Sequence, residues 1–136
     1  MRGEKGTGER TMESKPQTAD ELTAFLSEYT GTTHYYRHIS GATYTDGIQA
    51  MAQVSGGGAY WLVDKILFVG TSEKYRRVPF QLWQLVVYED KTGRVMMRED
   101  IGKEPLYVEK LDYTDFPIGA WKFYLIDGVL LLPSEY

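Results

Sequence analysis

The sequence predicts an α+β domain in which two to three N-terminal helices pack on a C-terminal antiparallel sheet of about five strands, arranged as a meander. Three observations predict it. Apolar residues recur at helical spacing between Leu22 and Val69, and beyond Pro79 they alternate with period two. Near the C-terminus an Asp127-Gly128 pair splits two apolar runs, the strongest short-range signal of a β-hairpin. At 136 residues the chain has the length of one domain with one core.

The elements follow in order. Residues 1–17 hold Gly, charged residues, Ser and Thr with almost no apolar content, too little to offset the entropy of ordering, so they read as a disordered tail. Met12 lies inside this tail, and residues 1–11 are expected to be an upstream-start extension. The single α+β domain spans residues 18–136. Thr18 and Glu21 have the spacing of a capping box ahead of Leu22, Phe25, Leu26 and Tyr29, which predicts a first helix ending before Gly31. A polar, aromatic-rich loop is expected from there through Gly41. Thr45 or Asp46 opens a second helix carrying Ile48, Met51 and Ala52, and Gly56-Gly57-Gly58 ends it. Leu62, Val63, Ile66 and Val69 favour a third helix over a strand. Residues 70–79 read as a loop. Strands are then expected over residues 80–90, 94–100, 106–112, 121–126 and 129–132, with turns at Asp90–Gly93 and Asp127-Gly128.

Composition excludes several function classes. The chain has no Cys, which removes disulfides, thiolate metal sites and Cys nucleophiles, and is compatible with a reducing, cytoplasmic setting. No apolar run approaches the roughly 18 residues of a membrane span, and the N-terminus has no apolar core of a secretory signal. A net charge of −4 argues against a general nucleic-acid binder. No cofactor signature is present: the glycine triplet lacks the Lys and Ser or Thr of a phosphate-binding loop, and no strand precedes it as a dinucleotide fold requires.

The densest chemistry lies in residues 33–47, THYYRHISGATYTDG. His34 and His38 are four apart, but no accompanying Glu and no helical periodicity support a metal site there, and none is expected. Arg37 and His38, flanked by Tyr35, Tyr36 and Tyr44, can hold an anion or a partner peptide. The structural alternative has these tyrosines capping the core while Arg37 pairs with Asp46. A second patch, Lys74, Tyr75, Arg76 and Arg77, combines cations with one aromatic and suits phosphate, though charge runs of this kind usually face water. The scattered carboxylates of the second half select no acid/base pair, and no Ser, His and Asp arrangement carries a nucleophile-elbow signature.

The strings TGTTHYYRH, YTDGIQAMAQ, AYWLVD, FQLWQL, TDFP and DGVLLLPSEY together resemble a family of small bacterial, phage and plasmid proteins of unknown function, over residues 22–136. The resemblance implies no reaction. It marks His34, Tyr36, Arg37, His38, Tyr44 and Asp46 as candidate binding residues, with no catalytic residue among them. By analogy it implies an interaction protein of a mobile genetic element, one that binds a host protein and inhibits or modulates it. The rival reading is a small hydrolase or ligand-binding enzyme whose His34, Arg37, His38 and Asp46 converge in one pocket, and a nucleic-acid adaptor acting through Lys74–Arg77 is a third. Two exposed sheet edges leave pairing with a second copy open.

Overall fold

The computed structural model describes residues 16–136, so the expected tail and start extension, up to residue 15, lie outside the described residues. Pro16 is buried, and the Gln17 N–H donates to Glu21 Oε1 at 2.8 Å. The first helix, α1 (Ala19–Leu26), starts with the capping box the sequence spells: Thr18 accepts from the Glu21 N–H, and the Glu21 side chain reaches back to the Thr18 N–H. It buries Leu22 and Leu26 and ends before Tyr29.

The predicted aromatic loop is instead a pair of strands, β1 (Tyr35–Arg37) and β2 (Thr43–Thr45), joined antiparallel with Tyr36 opposite Tyr44. Helix α2 (Asp46–Val54) follows directly, with the Thr45 hydroxyl accepting the Ile48 N–H as its N-cap. Gly56, at φ +57°, and Gly58, at φ +115°, make the bend into α3 (Tyr60–Gly70), a conformation that side chains resist.

The sheet has seven strands and is mixed, which corrects the five-strand antiparallel meander and the grouping of helices ahead of strands. Its remaining members are β3 (Phe80–Val87), β4 (Gly93–Arg98), β5 (Tyr107–Leu111), β6 (Gly119–Ile126) and β7 (Val129–Leu131). They lie in the order β1-β2-β7-β6-β3-β4-β5. A meander would place β6 beside β5, but β6 pairs with β3 over the full length of both, from Phe80 opposite Ile126 to Val87 opposite Gly119. The reason is burial. These two eight-residue strands carry Trp83, Leu85, Trp121, Phe123 and Leu125, all buried, whereas β5 is short and half-exposed and settles at an edge. Residues 112–118 cross from β5 to β6 with Phe116 fully buried against Trp121. At the far side β7 runs parallel to β2, Leu130 beside Tyr44.

The three helices cover one face of this sheet. One contiguous core joins Leu22, Met51, Leu62 and Ile66 from the helices to Trp83, Met97, Phe123 and Leu130 from the sheet. Thr45, Ser55, Gln81 and Thr114 are the buried polar residues among those described, and Gln81 is the largest of them. Its amide donates to the carbonyls of Gly70 and Tyr75, and its carbonyl accepts the Trp83 indole N–H at 2.9 Å, so the end of α3 is tied to β3 and both polar ends of the Gln81 amide are satisfied. No helix among the described residues is long and apolar enough to cross a membrane.

Candidate functional site

Residues 33–46 meet where β1, β2 and the N-terminus of α2 come together. Asp46 is the first residue of α2. Its Oδ2 accepts the Thr33 backbone N–H at 2.9 Å and the Thr33 hydroxyl at 3.0 Å, and its Oδ1 accepts the Tyr36 hydroxyl at 3.2 Å. The Asp46 N–H in turn donates to the Thr32 hydroxyl at 2.9 Å. These donors, the Thr33 backbone N–H foremost, bring the carboxyl from 3.8 down to about 2 against the opposing effect of its partial burial, and the helix N-terminus favours the same charge state. His34 lies on the same side, Nδ1 at 3.8 Å from Asp46 Oδ1, with its side chain three-quarters exposed.

Tyr36 stacks on Tyr44 with centroids 5.4 Å apart and planes at 17°. Burial first, and then donation to Asp46, push the Tyr36 phenol up; burial and the nearby Tyr60 and Asp64 push Tyr44 up. A shallow cavity of about 290 Å³ opens beside them, lined by Tyr29, Tyr36, Asp46, Gln49, Ala50 and Gln53.

The other two candidate residues stand apart. In β1 side chains alternate, so Tyr36 faces the helices while Tyr35 and Arg37 face the opposite side of the sheet. Arg37 therefore does not pair with Asp46. His38 forms its own group: Nε2 lies 2.8 Å from Asp64 Oδ1 on α3, Nδ1 lies 2.8 Å from the Ser40 hydroxyl, and the Ser40 backbone N–H donates to Nδ1 at 3.0 Å. Since Nδ1 accepts that N–H, the neutral ring carries its proton on Nε2 and donates it to Asp64. Phe68 packs edge-on to the ring at 5.0 Å. A Ser, a His and an Asp are thus in line, but the single Nδ1 lone pair is shared between the Ser40 hydroxyl and the Ser40 N–H, which closes a turn. No hydrogen bond or ion pair among the described residues joins this group to Asp46.

Sequence reasoning missed Thr33, Ser40 and Asp64. A Thr directly before His34 and a Ser two residues after His38 carry a weak local signal, since short hydroxyl side chains bond nearby backbone and ring atoms. Asp64 carries none, because only the packing of α3 brings it to β1. Of the second patch, Lys74, Arg76 and Arg77 are exposed, but Tyr75 is only 9% exposed and its hydroxyl donates to the Leu106 carbonyl. The aromatic of that loop belongs to the core.

Chemically, the Asp46 cluster is a fixed acceptor surface. Its carboxyl titrates well below neutrality, and Tyr36 and Tyr44 are displaced upward from a range already far above it. None of the three is placed to exchange a proton near pH 7. Oriented oxygens beside stacked rings instead suit a guanidinium or ammonium group. Among the described residues no three His, Asp or Glu side chains converge as metal ligands.

No curated protein and no solved structure matches this chain. One family model does, over residues 20–136, and it takes in all of α1 but its first residue, every later element of the fold and the whole Asp46 cluster: the chain belongs to DUF6876, a family of unknown function.

Proposed function

We propose that this protein is a non-enzymatic protein-binding module that offers the Asp46–Tyr36–Tyr44 surface to a basic site on its partner. The observation that carries the reading is the carboxylate of Asp46, held ionised by three donors and bordered by stacked tyrosines. Desolvated charges next to aromatic anchors are what give an interface its orientation and much of its energy. The resemblance to proteins of phages and plasmids makes a host protein the expected partner, and inhibition or modulation of a host defence protein the expected consequence.

The test is an affinity capture of the tagged protein from host lysate, with and without nuclease, read by mass spectrometry. The control is the double substitution Asp46→Asn, Tyr36→Phe, which keeps both side-chain shapes. A nuclease-resistant protein captured by the wild type and reduced at least about tenfold with the control supports the reading, since charge-assisted contacts of this kind cost about 2 kcal/mol or more to remove. Capture that the control leaves undiminished, or no captured protein at all, refutes it.

A further inference from the structure

The seven strands contain five basic residues, Arg37, Arg94, Arg98, Lys110 and Lys122, and a single acidic one, Glu109. The register sorts them by face. Leu85, Val95, Phe123 and Leu130 face the helices. Arg94 therefore faces away, opposite Val86 and Lys110; Lys122 does so opposite Gln84, and Arg98 opposite Leu82. Thr43, beside Val129, carries Arg37 to the same side. All five cations stand on the face that no helix among the described residues covers. Glu109 lies on the other, bonded to Lys65 and to the Tyr107 hydroxyl. In a chain of net charge −4 this segregation runs against the overall balance, and so the net charge hides it.

The same face carries aromatic rings. Phe80, Tyr124 and Tyr136 form a cluster with centroids 5.3 to 6.4 Å apart, Tyr136 being 79% exposed. Tyr35 stands on this side at 62% exposure. Arg98 is held in place, donating from Nε to Gln84 Oε1 at 2.7 Å and from Nη1 to the Lys103 carbonyl at 2.6 Å. Arg94 Nε is buried without a hydrogen-bond partner among the described residues. Residues of one face recur about every 7 Å along each strand; Arg94 and Lys110 are direct cross-strand neighbours, while Arg98 shares its row with Tyr124 and Arg37 shares its row with Phe80, so the cations are spread over the face on both sides of the ring cluster.

We infer that the open face of the sheet binds single-stranded nucleic acid, with the five cations against phosphates and the Phe80–Tyr124–Tyr136 cluster against bases. Two features of such a ligand match two features of the face. Phosphates need cations without interspersed carboxylates, and unpaired bases offer flat surfaces to exposed rings. An acidic peptide would satisfy the cations and leave the rings unmatched. This surface is on the opposite side of the sheet from Asp46, so it stands or falls separately from the protein-binding reading.

The test is fluorescence anisotropy of the full chain with a labelled oligo-thymidylate of about 15 nucleotides, starting at about 50 mM salt. We expect binding that weakens steadily as salt rises. The double substitution Lys110→Glu, Lys122→Glu, at two exposed positions, weakens it at least about tenfold, because it reverses two phosphate contacts. An abasic oligomer of equal length and charge binds at least about fivefold more weakly, for loss of stacking. Asp46→Asn binds as the wild type does. Circular dichroism checks that the variants are folded, and Arg37→Glu on the edge strand β1 replaces the double variant if it is not. The inference is overturned by no binding at the lowest salt, by charge reversal without effect, or by equal binding of the abasic oligomer. It is also overturned by a polyglutamate peptide competing as well as the oligonucleotide, which makes the occupant an acidic protein, or by concentration-dependent association in sedimentation, which makes it a second copy of this chain.

Discussion

At the scale of single residues, Asp46 does two things at once. It accepts from Thr33 and Tyr36 across thirteen and ten residues of chain, closing the β1–β2 unit onto α2, and it carries the charge that the proposed partner meets. The sign of its pH dependence follows from the direction of the shift. Folding lowers its pKa from 3.8 to about 2, so the carboxylate contributes stability at any pH above 3.8, and the contribution is lost as pH falls towards 2. Thermal melts followed from pH 5 down to pH 2 are expected to show a steep acid loss in the wild type and a shallower one in Asp46→Asn; identical slopes would mean that other carboxylates set the acid limb. Glu135 is the matching acceptor at the opposite end of the sequence. It takes the Thr45 hydroxyl at 2.6 Å, the Gly47 N–H at 3.0 Å and the Leu132 N–H at 2.9 Å. This fastens the final turn, Pro133–Glu135, to the start of α2.

At the scale of elements, helix α3 shows how tightly the helical layer meets the sheet. Gly70 ends α3, and a Cβ there would stand 2.5 Å from Leu125 Cδ2 and 2.6 Å from Gln81 Oε1. Leu125 sits in the core, and Gln81 is pinned by its own hydrogen bonds, so neither can give way cheaply. Gly70→Ala is expected to destabilise the fold by about 1–3 kcal/mol through overpacking, despite the better helix propensity of Ala. Urea denaturation measures this, and an unchanged midpoint would show that the layers can slide apart. Helix α1 makes the opposite case. Its N-terminus was readable because a capping box is a local device: Thr18 and Glu21 need only each other and the backbone between them. β1 and β2 were not readable, because three-residue strands of Tyr, Thr and Arg have no apolar alternation. They are held by the Tyr36–Tyr44 stack and by the pairing of β2 with β7 more than eighty residues later.

At the scale of the whole molecule, the fold has a centre and two margins. β3 and β6 share an eight-residue register and bury the largest side chains, while β1 and β5 close the sheet at its edges. Hydrogen exchange is expected to be slowest in β3 and β6 and fastest in β1, since an edge strand of three residues opens without disturbing the core. Equal protection across the sheet would show that the edges unfold only with the centre. The same architecture divides the surface by charge. Asp20, Glu21, Asp46 and Asp64 stand on the helical elements, and the strand cations stand on the other side of the sheet. The two proposals thus use opposite faces of the sheet.

What the sequence by itself determined are the properties that neighbours along the chain decide: the Thr18 capping box, the helical spacing of α2 and α3, the glycine bend between them, and the Asp127-Gly128 turn, where Asp127 at φ 50° and Gly128 at φ 81° join β6 to β7. Composition alone also marked residues 33–47 as the densest stretch of side-chain chemistry. The tertiary structure decided the rest. The order of the strands was set by which of them could bury the most apolar surface together, a comparison that no local pattern contains. It separated Arg37 from Asp46 by the two-residue alternation of a strand the sequence does not announce, and joined His38 to Asp64 through the packing of a helix. The basic face arose in the same way, because a net charge adds up residues without regard to which side of a sheet each one occupies.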